Sequence, residues 1–443
     1  MSPKPVDSIV SAKWIIPVVP SVEYENHSLI IHEGKILDIV PTENVDDLYT
    51  ATSERVELKD HAILPGLINM HTHSAMTLTR SIVDGVDLST WLNNYIWPVE
   101  RKFVSEDFCL TGVQKACIEM IRSGTTCFND MYFYPEITAS VADSCGLRAA
   151  VGVPILNFGT NWAETPEIAI EKFEALWKTY KEHDRIQITI APHAPYTVSD
   201  ELFVTCKQLS EEKDVLIHTH LHETAQETPE GARAFSRLEK LGLITNRLLA
   251  VHMTQLIPEE IKSMEDNNIG AVVHCPESNL KLGSGLCPVS SLGTVNVCIG
   301  TDGASSNDDL DLFGEIRTAN LLDNYRSTVQ LGGLDKAIKT KQWIEIATIN
   351  AAKALRIDKH VGSLEVGKQA DLIAVKVNAL PVYDIQYTLV MSNNSVTDVW
   401  VAGKPLMREQ KILVLDEDDV NKRTELWGNQ IKATLEEVLH QKI

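Results

Sequence analysis

Histidines and an aspartate follow several apolar segments of this chain, with types and spacing that suit a metal ion. His71 and His73, two positions apart, follow the apolar run of residues 63–70. In a strand, residues i and i+2 point to the same face, so both imidazoles can face one site. His220 adds a third nitrogen and Asp302 a carboxylate, each at the end of a later run. Three neutral imidazoles, one carboxylate and an open position for water describe a catalytic zinc or iron site.

Two further groups stand where a reaction at such a metal needs proton transfer. A bound metal cation lowers the pKa of water to about 7 and so generates hydroxide near neutrality. Groups that are not ligands must then move the protons. Glu223 lies three residues after His220, and a carboxyl beside a cation can serve as general acid or base. His252 ends a later apolar run, where it could steer the water or hold its proton.

Three other histidines near these runs leave two interpretations open. His218 shares strand parity with the expected ligand His220, and His222 follows two positions later. For each of them a structural role and a role at the site are equally expected. His274 ends another apolar run, where it would hold a loop or touch a substrate.

The elements that must position these residues alternate between strands and helices. Helical patterns separate most of the apolar runs, which predicts right-handed β-α-β units and a parallel sheet. Eight repeats favour a closed (β/α)8 barrel, in which functional groups gather at the carboxyl ends of the strands. Eight of the 14 histidines follow these runs. The runs cover residues 63–70, 124–129, 148–156, 186–192, 214–219, 247–251, 269–273 and 295–301.

Both ends of the chain differ from the middle. The first 60 residues show short strands and turns, among them a hairpin around Glu33-Gly34-Lys35. Short strands return after about residue 360, and the charged last segment favours a helix. We therefore expect three segments, with the barrel in the middle: residues 1–60, 61–358 and 359–443.

Composition excludes several classes of partner. The chain has 443 residues, with 40 Lys and Arg against 61 Asp and Glu, and a formal net charge of −21. This charge argues against a nucleic acid or an anionic membrane as partner. No apolar run reaches the ~18–20 residues that span a bilayer, and no secretory leader is recognisable, so a cytoplasmic protein is expected. The 8 cysteines form no Cys-x-x-Cys pair and are expected to be buried and reduced.

Several motifs resemble those of the amidohydrolase superfamily: LPGLINMHTHSAM, HTHLHET, VHMTQL, HCPESNLKLGSG and GTDGASSND. Within it, NNYIWPVE, APHAPYTV and the His-x-x-Glu at His220 resemble the 5′-methylthioadenosine/S-adenosylhomocysteine deaminases. The resemblance implies an α/β fold, a (β/α)8 metallo-hydrolase barrel of the TIM type with a small β-sandwich built from both chain ends. The segment GSLEVGKQADLIAV resembles a strand of that sandwich. The implied activity is metal-dependent hydrolysis of an adenine nucleoside to its inosine analogue and ammonia.

The resemblance also implies a metal-ligand set. It makes His71, His73, His220 and Asp302 the ligands of a zinc ion, with iron as the alternative. Binuclear members bridge two metals with a modified lysine on strand four. Here that strand ends at Ala191-Pro192-His193 without a lysine, so one metal per subunit is expected.

Substrate contacts are implied in the same way. Glu100 and His193 would hold the ribose hydroxyls, and Glu223 would meet N1 of the purine. Asp302 and His252 would position the attacking hydroxide, which adds to C6. The resemblance thus divides the site between ribose recognition and proton transfer.

The side of the site that takes the 5′ substituent is expected to be mainly apolar. Trp97 could stack on that substituent. Arg148 begins strand three, where the family can present an Arg to the carboxylate of a homocysteine tail. Residues 151–163 contain no second Arg or Lys and offer Phe158 and Trp162 instead. We therefore expect methylthioadenosine to be turned over at least as well as S-adenosylhomocysteine.

Two other classes of function remain open at this point. A guanine, cytosine or pterin deaminase, or a triazine chlorohydrolase, would use the same metal cage, although Glu100 and His193 suit a ribose. A metal-free scaffold of the same fold would be a non-enzyme, but this chain retains a full ligand set. The family usually self-associates, so a homo-oligomer with a small-molecule substrate is expected.

Overall fold

The computed structural model of the chain describes residues 2–227 and 233–440. It contains two eight-stranded sheets, one parallel and one formed by both ends of the chain. In chain order the strands are β1 (Lys4–Ile15), β2 (Tyr24–His32), β3 (Lys35–Pro41), β4 (Tyr49–Pro65), β5 (Leu67–Thr72), β6 (Thr125–Met131), β7 (Arg148–Ile155), β8 (Ile186–Pro192), β9 (Ile217–Leu221), β10 (Leu248–His252), β11 (Ala271–His274), β12 (Val297–Ile299), β13 (Leu372–Lys376), β14 (Ser395–Val401), β15 (Lys404–Arg408) and β16 (Lys411–Ile412).

The parallel sheet runs from β5 to β12 in sequence order, and each strand pairs with the next. It closes where the chain after β12 meets β5, since the amide of Asp302 donates to the carbonyl of His71 at 3.0 Å. Each of the eight predicted apolar runs overlaps one of these strands. The expected (β/α)8 barrel is therefore confirmed.

Helices connect the barrel strands and cover the barrel. Ser105 caps α4, where its hydroxyl accepts from the amide of Phe108 at 3.3 Å, and Gly124 ends α4 in a left-handed conformation with φ +90°. The helices are α1 (Val45–Leu48), α2 (Leu88–Trp91), α3 (Trp97–Phe103), α4 (Glu106–Ser123), α5 (Pro135–Cys145), α6 (Pro166–Tyr180), α7 (Asp200–Lys213), α8 (Ala234–Lys240), α9 (Pro258–Asp266), α10 (Pro276–Lys281), α11 (Leu312–Arg326), α12 (Thr340–Ile346), α13 (Ile349–Ala354), α14 (Ile385–Met391) and α15 (Glu417–His440).

The second sheet has the order β16-β15-β14-β13-β4-β1-β2-β3 and is antiparallel except between β1 and β4. Successive side chains along its strands point alternately into two hydrophobic cores. In β4, Ala62 and Leu64 belong to the large core shared with the barrel, while Ile63 points into a separate core of the sheet itself. The predicted hairpin between β2 and β3 is present, and its turn residues Glu33 and Gly34 have φ of +51° and +73°.

The structure divides the first apolar run differently from the sequence analysis. Residues 63–70 were expected to form one strand, but β4 of the terminal sheet continues to Pro65 and β5 of the barrel starts at Leu67. Gly66 separates them, and a Cβ at this position would overlap the side chain of Thr126. One apolar segment therefore supplies a strand to each sheet.

A buried ion pair links the barrel to the terminal sheet. Arg148, the first residue of β7, donates from Nε to Oδ2 of Asp371 at 2.6 Å and from Nη2 to Oδ1 at 3.1 Å. Oδ1 also accepts from the amide of Ala402 at 2.8 Å. The two side chains are 5% and 3% exposed, so this pair is shielded from solvent.

The last helix packs on the barrel. The Trp427 ring of α15 meets the Phe108 ring of α4 edge to face at 5.4 Å, and Arg423 donates to Gln114 at 2.7 Å. The 8 cysteines are buried and free, as expected. In the described parts of the chain, no helix has the length and apolar character that a bilayer crossing requires.

Candidate active site

Four side chains meet at the carboxyl end of the barrel. His71 is on β5 and His220 on β9, while His73 and Asp302 lie shortly after β5 and β12. Nε2 of His220 is 3.2 Å from Nε2 of His71 and 3.3 Å from Nε2 of His73. Oδ1 of Asp302 is 3.3 Å from Nε2 of both His71 and His73. The structure thus brings together all four residues that the sequence analysis named as ligands.

Two of the three imidazoles are oriented by backbone carbonyls. Nδ1 of His73 contacts the carbonyl of Met131, and Nδ1 of His220 lies 2.7 Å from the carbonyl of His193. A carbonyl oxygen can only accept, so Nδ1 of each ring carries the proton. Nε2 of each ring is then left with a lone pair that faces the cluster.

The third imidazole and the carboxylate are oriented by side chains and one amide. Nδ1 of His71 lies 3.0 Å from Nε2 of His218, which answers the question left open for His218 because it contacts an expected ligand. The Ser278 hydroxyl donates to Oδ2 of Asp302 at 2.7 Å, and the Gly303 amide donates to Oδ1 at 2.7 Å. Every member of the cluster therefore has a fixed orientation.

This donor set fits a metal ion. Nitrogen ligands at 2.0–2.1 Å from a tetrahedral metal are about 3.3 Å apart, close to the separations found between these atoms. Burial lowers the pKa of His71 and His220, so both imidazoles are neutral. The Ser278 hydroxyl and the Gly303 amide both donate to Asp302, and hydrogen bonds of this kind favour the ionised form of a carboxyl. Neutral imidazoles beside an ionised carboxylate are the ligand forms that a divalent cation needs.

Glu223 lies beside this cluster without belonging to it. Its side chain is 5% exposed, and Oε1 is 3.7 Å from Nε2 of His252. Burial, together with the charges of Asp302 and Glu227, raises the pKa of Glu223 well above its usual value. A raised pKa favours the protonated form of a carboxyl, which can then act as a proton donor.

The backbone of Glu223 is fixed on both sides. The carboxylate of Glu227 accepts from the amides of His222 at 3.0 Å and Glu223 at 2.7 Å. The Thr254 hydroxyl donates to the carbonyl of Glu223 at 2.8 Å. Neither Glu227 nor Thr254 is predicted from the sequence, although a second glutamate four residues after Glu223 is a visible signal.

His252 ends β10 in a left-handed conformation, with φ +77°. Its Nδ1 lies 3.0 Å from the side-chain amide nitrogen of Asn279, and its Nε2 has no hydrogen-bond partner within the described ranges. Burial lowers the pKa of His252 to about 3. A neutral ring held at Nδ1 by an amide donor presents an Nε2–H toward the cluster. Asn279 is also not predicted from the sequence, although it lies inside the motif HCPESNLKLGSG.

A cavity of about 620 Å³ opens above the cluster. Three of the expected ligands line its floor together with Glu223 and His252, and its wall is mostly apolar. Such a volume is within the range of small-molecule sites, which are apolar with a few converging polar groups. The apolar wall residues include Leu88, Trp91, Leu92, Ile96, Trp97, Phe133, Leu156 and Phe158.

Two of the expected ribose contacts line the same cavity. Oε1 of Glu100 accepts from the Tyr132 hydroxyl at 2.8 Å, and burial raises the pKa of Glu100 to about 7. Nδ1 of His193 lies 2.8 Å from the Thr197 hydroxyl. Tyr132 was missed from the sequence, although it directly follows β6 and so obeys the same rule as the histidines.

The 5′ side needs two corrections. Arg148 was expected to meet a substrate carboxylate, but it lies at the amino end of β7, outside the cavity, in the buried pair with Asp371. Functional groups of a barrel gather at the opposite end. Trp162 is also outside the cavity, since its indole donates to Glu136 at 3.1 Å. Trp97 lines the cavity, as expected, and so does Arg101, which the sequence analysis did not name.

The two remaining histidines do not line the cavity within the described ranges. Nε2 of His222 lies 3.1 Å from Oε1 of Glu260, whose carboxylate also pairs with Arg233. His274 is buried at the end of β11, and burial lowers its pKa to about 3. His222 therefore has a structural partner of its own.

A sequence model described as Amidohydrolase family matches residues 62–406. The chain belongs to this family. A 5-methylthioadenosine/S-adenosylhomocysteine deaminase of Saccharophagus degradans is 45% identical over 442 residues, which cover 97% of this chain and 98% of that protein. A 5′-deoxyadenosine deaminase of Methanobrevibacter smithii is 36% identical and covers 91% of this chain and 94% of its own. These relatives confirm the resemblance found in the sequence.

Solved structures of this amidohydrolase fold include an adenosine deaminase from Xanthomonas campestris with bound zinc. It is 38% identical, covers 97% of this chain and 100% of its own, and has a TM-score of 0.94. A triazine hydrolase from Arthobacter aurescens has a TM-score of 0.85 and covers 95% of this chain and 99% of its own. It is 22% identical, so this likeness concerns the fold alone.

The corrected position of Arg148 leads to a stability prediction. Replacing Arg148 with Met should lower the free energy of unfolding by about 3–5 kcal/mol, because Asp371 is left buried and unpaired. The ratio of the rates with methylthioadenosine and S-adenosylhomocysteine should not change, since Arg148 lies outside the cavity. Chemical denaturation and steady-state kinetics measure the two effects.

The exposed ion pair of Lys262 and Asp266 provides the control for Arg148. Its side chains are 74% and 62% exposed. Lys262→Ala should therefore lower the free energy of unfolding by less than about 1 kcal/mol. A loss of S-adenosylhomocysteine turnover alone in Arg148→Met would restore the original assignment.

Proposed function

We propose that this chain is a zinc-dependent deaminase of 5′-methylthioadenosine and related adenine nucleosides, with one zinc ion per subunit. It converts the adenine to hypoxanthine and releases ammonia. The observation that carries the proposal is the position of Glu223, a buried carboxyl beside the ligand cluster at the floor of a cavity of nucleoside size, where burial raises its pKa. The names of the relatives and the zinc in the Xanthomonas campestris structure support the same reaction.

The reaction divides among three residues of the chain. Zinc held by His71, His73, His220 and Asp302 would supply hydroxide at neutral pH, because a bound divalent metal lowers the pKa of water to about 7. Glu223 gives its proton to N1 of the purine, which draws electrons from C6, and it is reprotonated by the proton that water loses when the hydroxide forms.

His252 and Asp302 orient the attacking oxygen. The Nε2–H of His252 has no partner within the described ranges and is free to donate to that oxygen. Asp302 accepts the proton that the oxygen loses, and this proton passes to the departing amine. The amine then leaves C6 as ammonia.

Ribose recognition falls to Glu100 and His193. The Tyr132 hydroxyl occupies one oxygen of Glu100, so the other oxygen can accept from the vicinal hydroxyls. These hydrogen bonds are roughly twice as strong when the carboxyl is ionised, and Glu100 is ionised above its pKa of about 7. A free base such as guanine cannot make these bonds, which favours a nucleoside over the ring-deaminase alternatives.

The 5′ substituent lies against the apolar wall. Trp97 and Phe158 line this part of the cavity and suit a thioether. Arg101 lines it as well and replaces Arg148 as the cationic group near the substituent. We therefore propose that methylthioadenosine is turned over at least as well as S-adenosylhomocysteine.

The compartment and the assembly complete the proposal. The eight buried free thiols support a reducing compartment, which is the cytoplasm. A homo-oligomer is supported by Leu321, Tyr325 and Val329, which follow one another at four-residue spacing and are 52%, 66% and 62% exposed.

Metal content is the first test of this function. Protein purified without added metal should contain one equivalent of zinc per chain, and a chelator that removes the zinc should abolish deamination. Elemental analysis and an ammonia assay measure both quantities. Two equivalents per chain, or deamination that survives complete removal of metal, would contradict the single-zinc site.

Replacement of Glu223 tests the proton transfer. Glu223→Gln should lower kcat for methylthioadenosine by ~10²-fold or more, because an amide cannot protonate N1. The zinc content and the circular dichroism spectrum should stay unchanged, since Glu223 is not a ligand. Methylthioadenosine, S-adenosylhomocysteine, adenosine and guanine are compared by the change in ultraviolet absorbance.

Glu259, an exposed glutamate of α9, provides the matched control for Glu223. Glu259→Gln should keep wild-type turnover. Deamination of guanine in preference to the nucleosides would assign the chain to another ring deaminase.

Replacement of Glu100 tests ribose recognition. Glu100→Ala should raise KM for the ribonucleosides strongly and leave the 2′,3′-dideoxy analogues nearly unaffected, because the analogues lack the hydroxyls that the carboxylate accepts. Steady-state kinetics with matched pairs of nucleosides measure this difference. Equal losses for both members of a pair would show that Glu100 only supports the wall of the cavity.

A further inference from the structure

The three imidazoles of the cluster are not oriented in the same way. His73 and His220 are held at Nδ1 by backbone carbonyls, which are present whatever the side chains are. His71 is held at Nδ1 by a side chain, Nε2 of His218, at 3.0 Å. The orientation and the tautomer of His71 therefore depend on the chemical nature of one residue.

Only one arrangement of protons in this pair allows His71 to bind a cation. If His71 carries its proton on Nδ1 and donates it to Nε2 of His218, its own Nε2 presents a lone pair to the cluster. In the opposite arrangement, His218 donates and the proton of His71 moves to Nε2. That proton would point at Nε2 of His220, 3.2 Å away, and exclude a cation. The acceptor role of His218 decides between the two.

We propose that His218 is the positioning residue that makes His71 a metal ligand, by accepting its Nδ1–H within the barrel. This inference rests on the metal site of the proposed function and assigns a role to a residue outside the ligand set. An outer partner of this kind fixes the tautomer and the ring orientation of a ligating histidine.

His218 lies in the packed interior of the barrel. His218 is fully buried on β9, two residues before His220, so both side chains point to the same face. Gly152 of β7 lies opposite, and a Cβ there would be 3.4 Å from Nδ1 of His218 and 2.7 Å from the carbonyl of Asp130. The glycine is therefore required by the close approach of the Asp130 carbonyl, and His218 packs against it at van der Waals distance.

The other ring nitrogen of His218 is left as a buried donor without a partner among the described residues, which lowers the stability of the fold. When Nε2 accepts from His71, Nδ1 of His218 carries the proton, and no described group accepts it. The hydroxyl of Thr189, whose residue pairs with Gly152 in the sheet, is also buried without a partner in the described ranges. A core residue that served packing alone would be apolar here, because an unpaired buried donor destabilises the fold.

Zinc affinity tests the inference directly. The holoenzyme is titrated with a chelator of known zinc affinity, and the zinc retained is measured. His218→Leu should weaken zinc binding by ~10–100-fold, the usual effect of removing an outer partner of a ligand. His218→Gln should recover most of the affinity, because its amide oxygen can accept from Nδ1 of His71.

His222 provides the matched control. It is buried four residues after His218, but its Nε2 pairs with Glu260, and within the described ranges its ring makes no hydrogen bond with the four expected ligands. His222→Leu should therefore keep wild-type zinc affinity even where it lowers the unfolding temperature. If His218→Leu does not fold, His218→Asn replaces it, because the shorter side chain cannot reach His71 and should show the same loss.

The outcomes separate this inference from the proposed function. Equal zinc affinity of His218→Leu and wild type would overturn the positioning role while leaving the zinc site intact. Equal losses in the Leu and Gln variants would also overturn it, because the accepting atom would then be irrelevant. A wild-type protein that binds no zinc would instead contradict the proposed function itself.

Discussion

The edge-to-edge contact between the first and the last strand of the barrel is the interaction on which the site depends. The amide of Asp302 donates to the carbonyl of His71, and this bond aligns the carboxylate with the imidazole from the other end of the barrel sequence. Gly300 permits the approach, because a Cβ there would lie 2.6 Å from the backbone nitrogen of His71. Without closure, the two halves of the ligand cluster would belong to opposite edges of an open sheet.

Closing the barrel also buries the polar groups of the site. Each buried polar group then needs a hydrogen-bond partner for the fold to stay stable. A buried donor or acceptor without a partner costs about 1–3 kcal/mol. Most groups around the cluster are paired: Ser278 with Asp302, Asn279 with His252, and Glu227 with the backbone of Glu223. These pairs hold the reacting groups in place before a substrate enters, so little reorganisation is needed during the reaction.

The sequence was sufficient where a polar residue followed an apolar run, because parallel strands of a barrel all bring their carboxyl ends to one face. This rule located the expected ligands and Glu223. The same rule contradicts the assignment of Arg148, since the first residue of a strand lies at the other face. The continuous apolar sequence also concealed the change of sheet at Gly66, for which the dipeptide Pro65-Gly66 was the available signal.

Other features depended on contacts between distant parts of the chain. Trp162 lies in the segment that was expected to contact the 5′ substituent, but its indole N–H donates to Glu136, so the ring points away from the cavity. Arg101 lines the cavity because α3 lies beside the carboxyl end of the barrel in space. Spacing along the chain does not encode that approach.

The terminal sheet has a consequence for the order in which the chain folds. Its central pair joins β4 to β13, where Pro65 lies opposite Leu372, so the two partners are separated along the chain by the whole barrel. During synthesis, β4 emerges long before β13 and exposes an unpaired strand edge until the C-terminal strands arrive. Unpaired edges are templates for association with other chains. Ribosome-bound intermediates of this protein are therefore expected to need shielding at β4, and loss of the last 72 residues, from Leu372 to Ile443, would leave that edge open for good.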